Sequence, residues 1–352
     1  QAGVLRPPAH REKGDTVSRL AFLAKRLVNM NYGGMAETVG EVARRSGRSR
    51  AAVAADMAAC ALRYQSGYLD YQLFQFDRLS PAQRASYITR GVNNAYVRSL
   101  NPREDWPLLD DKALFLQHFD GWHGRAWLDL RSAGAGEFAD FCAAHPQLVG
   151  KPYNGTCGRG IAFYEAAGAE PELLRQMLLE QGQVLVEERV EQHGALAALH
   201  PASVNTLRLV TIRSGERVQT VFRCLRIGNG KPVDNLGSGG MCALVDGQGC
   251  ISTPGADKNG RAHEVHPLTG HPLQGTQLPF FAEALALVEA AALRTGGLRY
   301  VGWDVATTAR GPILIEGNQF PDHQLYQFPI HLGPDRMGLA PRFAAAIGGR
   351  EG

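Results

Sequence analysis

The residue types that could do chemistry in this chain gather in its second half. In GPILIEGNQF, residues 311–320, an apolar run of Ile313, Leu314 and Ile315 ends in Glu316 and Asn318. Residues two apart on a strand face the same side, so a carboxylate and an amide oxygen converge at that strand end. The run before it, LRYVGWDVATTAR, reads as the other half of a hairpin and brings Asp304 beside them. Three oxygen donors on one face make a hard-cation site, and Mg2+ suits such a set when phosphate oxygens and water complete its sphere. A carboxylate pair held by nearby arginines is the competing reading of the same residues.

A second feature suits the phosphate. In VGKPYNGTCGRGI, Lys151 closes a short apolar strand and a loop with Gly155, Gly158 and Gly160 follows, running into a further strand through Ile161 and Phe163. An ammonium meets polyphosphate charge there, while residues without side chains let backbone N–H groups approach oxygens closely. The order excludes a Walker A loop, whose lysine follows its glycines, and a GxGxxG turn that opens a helix. In VLVEERV another strand runs into Glu187 and Glu188, which in isolation read as a solvated strand end. Paired strands over SVNTLRL and VFRCLRIGNG present Arg208, Arg223 and Arg226, and PVDNLGSGG adds a second glycine cluster around Ser238.

The elements that must position these residues change in character along the chain. From about Thr16 to Asn101 the apolar residues recur at three- and four-residue spacing and strand-like runs are missing, so this part reads as helical. After NPREDWP the pattern turns to strands alternating with helices and glycine-rich turns, which places a domain boundary near residue 105. Residues 37–57, ETVGEVARRSGRSRAAVAADM, have the outline of a helix-turn-helix. An α-hairpin with a solvated basic face is the preferred reading, since two short helices around a glycine are common and the sequence offers neither a dimer nor a second phosphate-contacting element for DNA.

Composition sets outer limits. With 352 residues, 44% of them hydrophobic, the chain is long enough for two or three domains or one large α/β enzyme. Its formal charge of +3 comes from 37 basic and 34 acidic residues without a basic block, so neither nucleic acid nor an anionic membrane is expected as a partner. The six cysteines show no CxxC spacing, which argues against structural zinc and a disulfide framework and for reduced thiols in a cytoplasm. No apolar stretch reaches the ~18 residues of a membrane span, and the opening QAGVLRPPAHREKGD lacks the apolar core of a signal peptide.

The order of these parts resembles the ATP-grasp superfamily. The resemblance rests on DDKALF with Lys112, VGKPYNGTCGRGI with Lys151, VLVEERV with Glu187, and GWDVATTARGPILIEGN with Asp304, Glu316 and Asn318. DYQLFQFDRLSPAQRASYITR, SVNTLRL, HPLTG and GWDVA are similar to the sugar-transfer-associated branch, related to α-L-glutamate ligases. The likeness covers roughly residues 65 to 335 and implies an α+β fold in which two subdomains grip ATP behind a mainly helical N-terminal region. The regions expected are 1–105, helical; 106–190, a small subdomain with the phosphate loop; and 191–352, a large subdomain with metal and acceptor sites.

By the same resemblance, Lys112 and Lys151 hold ATP phosphates and the loop Asn154, Gly155, Thr156, Gly158 and Gly160 closes over them. The segment Glu187, Glu188 and Val190 lies against adenine, Glu191 takes the ribose, and Asp304, Glu316 and Asn318 bind Mg2+. The implied activity is an ATP-dependent carboxylate–amine ligase working through an acyl phosphate; a small-molecule kinase of the same fold and a non-catalytic nucleotide-binding protein are the alternatives. Arg208, Arg223 and Arg226 are candidates to hold a small-molecule or peptide carboxylate, since guanidinium forks match its geometry, and sheet-surface arginines paired with neighbours are an equal alternative. His266 and His323 are candidates to assist the amine. Two departures stand out. Asp322 and His323 occupy the turn where proline-glycine is usual, and Gly302 stands where related ligases often carry the arginine that stabilises the acyl phosphate.

Overall fold

The computed structural model describes residues 31–153 and 160–349, so the helix expected from Thr16 onward lies outside the described residues. The chain divides into two compact units, one up to Ala59 and one from Cys60 onward. The first holds α1 (Tyr32–Ser46) and the beginning of α2 (Arg50–Tyr64), which crosses the division. The Asn31 side chain caps α1 by accepting the Gly34 N–H, and Gly47 ends it at φ 70°, a left-handed conformation that costs a residue without Cβ little. Val39 and Val42 of α1 and Val53 of α2 are buried at helical spacing. The two helices expected within residues 37–57 are therefore present.

The second unit opens with α3 (Tyr68–Leu73), α4 (Arg90–Leu100) and α5 (Lys112–His118). A four-stranded antiparallel sheet follows, built from β1 (Trp127–Asp129), β2 (Gln147–Lys151), β3 (Ala162–Glu165) and β4 (Leu185–Glu188) in the order β1-β4-β2-β3. Its helices α6 (Ala135–Ala144) and α7 (Pro171–Glu180) cover one face through Phe138, Cys142, Leu174 and Leu178, which pack on Leu148 and Val186. The opposite face carries Val149, Lys151 and Glu187, because strand neighbours alternate sides.

The larger, seven-stranded sheet is antiparallel throughout. Its strands are β5 (Leu207–Ser214), β6 (Arg217–Ile227), β7 (Met241–Leu244), β8 (Gly255–Asp257), β9 (Ala262–His263), β10 (Tyr300–Thr308) and β11 (Gly311–Asn318), in the order β11-β10-β5-β6-β7-β8-β9. One face, with Leu209, Leu225, Val301 and Trp303, is closed by α8 (Phe281–Ala292) and by Phe115 and Leu116 of α5. On the other, Val210, Phe222, Cys224 and Tyr300 pack with Val97 of α4 and Phe343 of α9 (Ala340–Ile347). Farther along that second face the apolar residues give way to Arg208, Arg226 and Asp304. The architecture is the expected α+β arrangement behind a helical N-terminal region, with helices continuing to His118. Among the described residues, no helix is long and apolar enough to cross a membrane, and Cys60, Cys142, Cys224, Cys242 and Cys250 are free thiols.

Asn101 ties α4 to the start of β10. Its Nδ2 donates to the carbonyls of Tyr300 (2.7 Å) and Gln319 (2.6 Å), and its Oδ1 accepts the N–H groups of Arg299 and Tyr300, both at 3.0 Å. Every hydrogen-bonding capacity of this buried amide is met, so removing it strands several backbone groups at once. Asn101→Ala should lower unfolding stability by about 3 kcal/mol or more, read as a fall in the urea midpoint. An unchanged midpoint would show that water replaces the amide without loss.

A cleft between the two sheets as candidate active site

The open faces of the two sheets enclose a cavity of about 450 Å³, a size suited to a small-molecule ligand. Val149, Lys151, Phe163 and Glu187 line one wall, and Arg226, Asp304, Ile315 and Glu316 the other. Two charge clusters face each other across it.

On the small-sheet side, Lys151 Nζ lies 2.7 Å from Glu187 Oε2, and Arg125 Nε donates to the same oxygen at 2.5 Å. Glu187 is 3% exposed, so it is a buried member of β4 rather than the solvated strand end that its position alone suggests. Burial alone would raise its pKa, but Arg125 and Lys151 outweigh burial and hold it at about 2. Lys151 moves the unfavourable way for a cation: burial lowers its pKa, and Glu187 only partly restores it against the repulsion of Arg125. The two shifts are consistent once the charges are counted together. Glu187 sits between two cations, and the Glu316 charge across the cleft adds a smaller favourable contribution, so burial still leaves the lysine under-compensated.

On the large-sheet side, β10 and β11 pair so that Asp304 stands opposite Glu316 and Gly302 opposite Asn318, the hairpin the sequence predicts. Asp304 is gripped by Arg208, with Nε to Oδ1 at 2.5 Å and Nη2 to Oδ2 at 2.9 Å, and by Arg226 Nη1 to Oδ2 at 2.6 Å. Burial opposes its ionisation, yet Arg208 and then Arg226 hold the carboxyl well below the usual range. Arg226 Nη2 also donates to Asp234 Oδ1 at 2.7 Å and to Asn235, so it fastens the loop after β6 to the same carboxylate. Thr206 completes the Asp234 contacts through its hydroxyl and its N–H.

Among the described residues, Glu316 has no such ion pair. Its side chain is open to the cleft, while enclosure by the cleft walls and then the Asp304 charge push its carboxyl above the usual range. Asn318 Nδ2 lies 3.5 Å from Glu316 Oε1, so the pair forms one edge of polar groups. Among the described residues, no three His, Cys, Asp or Glu side chains are placed to hold a metal. The donor set here is two carboxylates and an amide. It fits a hard cation: Asp304 accepts three hydrogen bonds and keeps lone-pair capacity, and a cation beside Glu316 would relieve the like-charge repulsion that raises its pKa.

The other expected site residues are spread unevenly. Glu188, Val190 and Glu191 line the cleft with Glu187. Lys112 is the first residue of α5, beside Asp111, whose side chain caps that helix and accepts a hydrogen bond from Tyr153 at the entrance of the glycine loop. Asn154, Gly155, Thr156 and Gly158 lie outside the described residues. Gly160 closes the loop at φ +76°, where a Cβ would meet Pro152 Cγ at 2.9 Å, so the two ends of the loop touch only because this residue is glycine.

Lys112, Arg208, Asn318, Arg223 and His323 are not part of the cleft lining; Arg208 stands behind Asp304 and Asn318 beside Glu316. Arg223 pairs with Leu209 across the strands and therefore faces the opposite side of the sheet from Arg208 and Arg226. His323 is 1% exposed, and its Nε2 lies 2.9 Å from Asp70 Oδ1, which joins the segment after β11 to α3. His266 is fully buried as well, and its Nε2 donates to the Gly228 carbonyl at 2.8 Å. Sequence reasoning missed Arg125, which sits in the irregular GWHGRAW between aromatic residues, and Asp234, which lay unremarked within PVDNLGSGG.

The cation-rich cluster makes a pH-dependent prediction. A carboxyl with a depressed pKa stabilises the fold above its unfolded value and loses that contribution as pH falls through its folded value. Glu187→Gln should therefore cost on the order of 3 kcal/mol at neutral pH. The gap from the parent should close as pH falls from the ordinary glutamate value of 4.5 toward about 2. Chemical unfolding across that range checks it; a gap that stays constant with pH contradicts the ion cluster.

Comparison with known proteins adds the following. Solved structures with a related arrangement include the ATP-grasp ligase PsnB complexed with precursor peptide PsnA2 and AMPPNP, at 14% identity and a TM-score of 0.43 over 73% of this chain and 65% of that one. An L-amino acid ligase from Bacillus licheniformis matches at 10% identity and a TM-score of 0.43, covering 74% of this chain and 54% of that chain. A D-alanine–D-alanine ligase from Helicobacter pylori matches at 10% identity and a TM-score of 0.38, covering 69% and 59%. The chain thus spans less than two thirds of the length of each of these structures. No curated protein matches it. The family model described as sugar-transfer associated ATP-grasp matches residues 91–333, more than half of the sequence, and the chain belongs to that family.

Proposed function

We propose that this protein is an ATP-dependent carboxylate–amine ligase that releases ADP and phosphate. The observation that carries this reading is Lys151, a buried ammonium that shares the Glu187 carboxylate with Arg125 across a cleft from Asp304 and Glu316. A polyphosphate supplies further negative charge, and a charge-assisted contact in a buried site is strong enough to be worth that arrangement.

In this reading the regions 106–190 and 191–352 close on ATP from two sides. Lys151 and Lys112 hold its phosphates under the glycine loop, Glu187 to Val190 lie along adenine, and Glu191 takes the ribose. Asp304, Glu316 and Asn318 hold magnesium, which when bound supplies charge neutralisation to the phosphates. A substrate carboxylate oxygen attacks the γ-phosphorus and ADP leaves; an amine nitrogen then attacks the acyl carbon, phosphate leaves, and the amine gives up a proton. To Arg208, behind Asp304, we assign the steadying of the acyl phosphate. Its Nη1 has no hydrogen-bond partner among the described residues and lies 3.6 Å from where a Cβ at Gly302 would stand, so it fills the space that a side chain at 302 would use. Arg226 is committed to Asp304, Asp234 and Asn235 and serves to hold them. The substrates are a small-molecule or peptide carboxylate and an amine, and we place the enzyme in the cytoplasm, where its thiols stay reduced.

Glu316→Gln tests the site, because it removes a charge without removing shape. Among the described residues Glu316 makes no arginine ion pair to strand, so the variant should melt within about 2 °C of the parent without ligand. It should lose the magnesium-dependent stabilisation by ADP and release no ADP with any substrate pair. A variant that melts far lower yet hydrolyses ATP normally contradicts a metal role. For the parent, ADP and inorganic phosphate should form only when a carboxylate and an amine are both present in a panel of amino acids and peptides; a phosphorylated product from one substrate alone would replace ligase by kinase.

A further inference from the structure

The strand that carries Glu316 is an edge strand, since β11 ends the order of the large sheet. An edge leaves backbone N–H and C=O groups unpaired unless something covers it. Residues 122–125 do so here. The Leu314 N–H donates to the Trp122 carbonyl at 2.9 Å, and the Arg125 side chain donates through Nη1 to the Leu314 carbonyl at 2.7 Å and through Nη2 to the Ile315 carbonyl at 3.1 Å. The close approach depends on Gly124, where a Cβ would come within 2.4 Å of Ile313 Cγ2.

Two consecutive carbonyls cannot point the same way from a regular strand. The pairing of β10 with β11 is irregular at this point: Asp304 stands opposite Glu316 but Val305 stands opposite Leu314, so Ile315 is an extra residue. Without that bulge Ile315 would oppose Asp304, and Glu316 would turn to the other face of the sheet. The bulge is thus what sets the two carboxylates side by side, and the Arg125 fork fills the carbonyls it exposes. The third arm of the same guanidinium, Nε, holds Glu187, the partner of Lys151.

We propose that Arg125 is a positioning residue that couples the two halves of the site, holding the bulge that presents Glu316 and the carboxylate that presents Lys151 with one rigid, planar side chain. Contact with phosphate at Lys151 and contact with a cation at Glu316 would then be linked energetically through Arg125. The inference rests on the cleft being a magnesium–nucleotide site, and its test keeps the two claims apart.

Binding of ADP is measured by calorimetry with and without magnesium, in the parent and in Arg125→Lys. An ammonium can still pair with Glu187 but cannot span two carbonyls. The variant should keep its metal-free ADP affinity within about threefold while the gain in affinity conferred by magnesium falls by about tenfold. An undiminished magnesium gain, or an equal loss with and without metal, overturns the role given to Arg125. A parent that binds no nucleotide in either condition overturns the nucleotide site itself, and the inference with it. Should Arg125→Lys fail to fold, the parent alone still decides: magnesium with ADP should slow amide hydrogen exchange at residues 185–188 and at 314–316 together, and slowing confined to one segment overturns the coupling.

Discussion

A buried charge must be paired, and the cleft is organised around that constraint. Arg125 and Lys151 lie against one carboxylate on the small-sheet side, and Arg208 and Arg226 lie against Asp304 on the other. Taking such groups out of water costs several kcal/mol each, so a cluster of this kind persists only where partners and geometry are fixed. That requirement explains why β10 and β5 must be neighbours in register, since Arg208 pairs directly with Asp304 across them. It also suits the proposed phosphate: the small-sheet cluster sets two cations against one carboxylate.

The charge network reaches beyond the cleft floor. Arg226 links Asp304 to Asp234 and Asn235, and the loop that carries them is held from beneath by two histidines. His266 donates to the Gly228 carbonyl, while the Gly230 N–H donates to His200 Nε2 at 3.0 Å. A side chain at Gly228 would collide with Ser203 and His200, so the loop can lie against this pair only with glycine there. The histidine of HPLTG therefore acts on the site from a distance, through a backbone it positions.

Much of this was legible in residue order because strand geometry is regular. The alternation of side chains was enough to bring Glu316 and Asn318 together, and the hairpin put Asp304 on the neighbouring strand, but it is the bulge at Ile315 that sets Asp304 on their face. The same alternation separates Arg223 from Arg226, three positions apart, and grouping the three arginines overlooked it. Other features were hidden for physical reasons. Arg125 lies in a segment without periodicity, and its partners are 62 and 189 residues away, so no local pattern marks it. The bulge at Ile315 breaks the alternation without a glycine or proline to announce it. His323 looked available in a polar turn, but its partner Asp70 comes from a helix 253 residues earlier. The burial of Glu187 likewise depends on which sheet stands opposite, a tertiary fact that a strand end does not contain.

The central claim is that the phosphates of a nucleotide lie between Lys151 and the Asp304–Glu316 edge with a cation beside them. A crystal grown with ADP and Mn2+ in place of magnesium tests it directly, because manganese scatters anomalously. The account predicts an anomalous peak within bonding distance of Asp304, Glu316 and Asn318, with the β-phosphate reaching Lys151 and the Lys151–Glu187 contact lengthened or shared. A nucleotide bound elsewhere on the protein, or bound in the cleft with manganese on other residues and Lys151 still closed on Glu187, would contradict it.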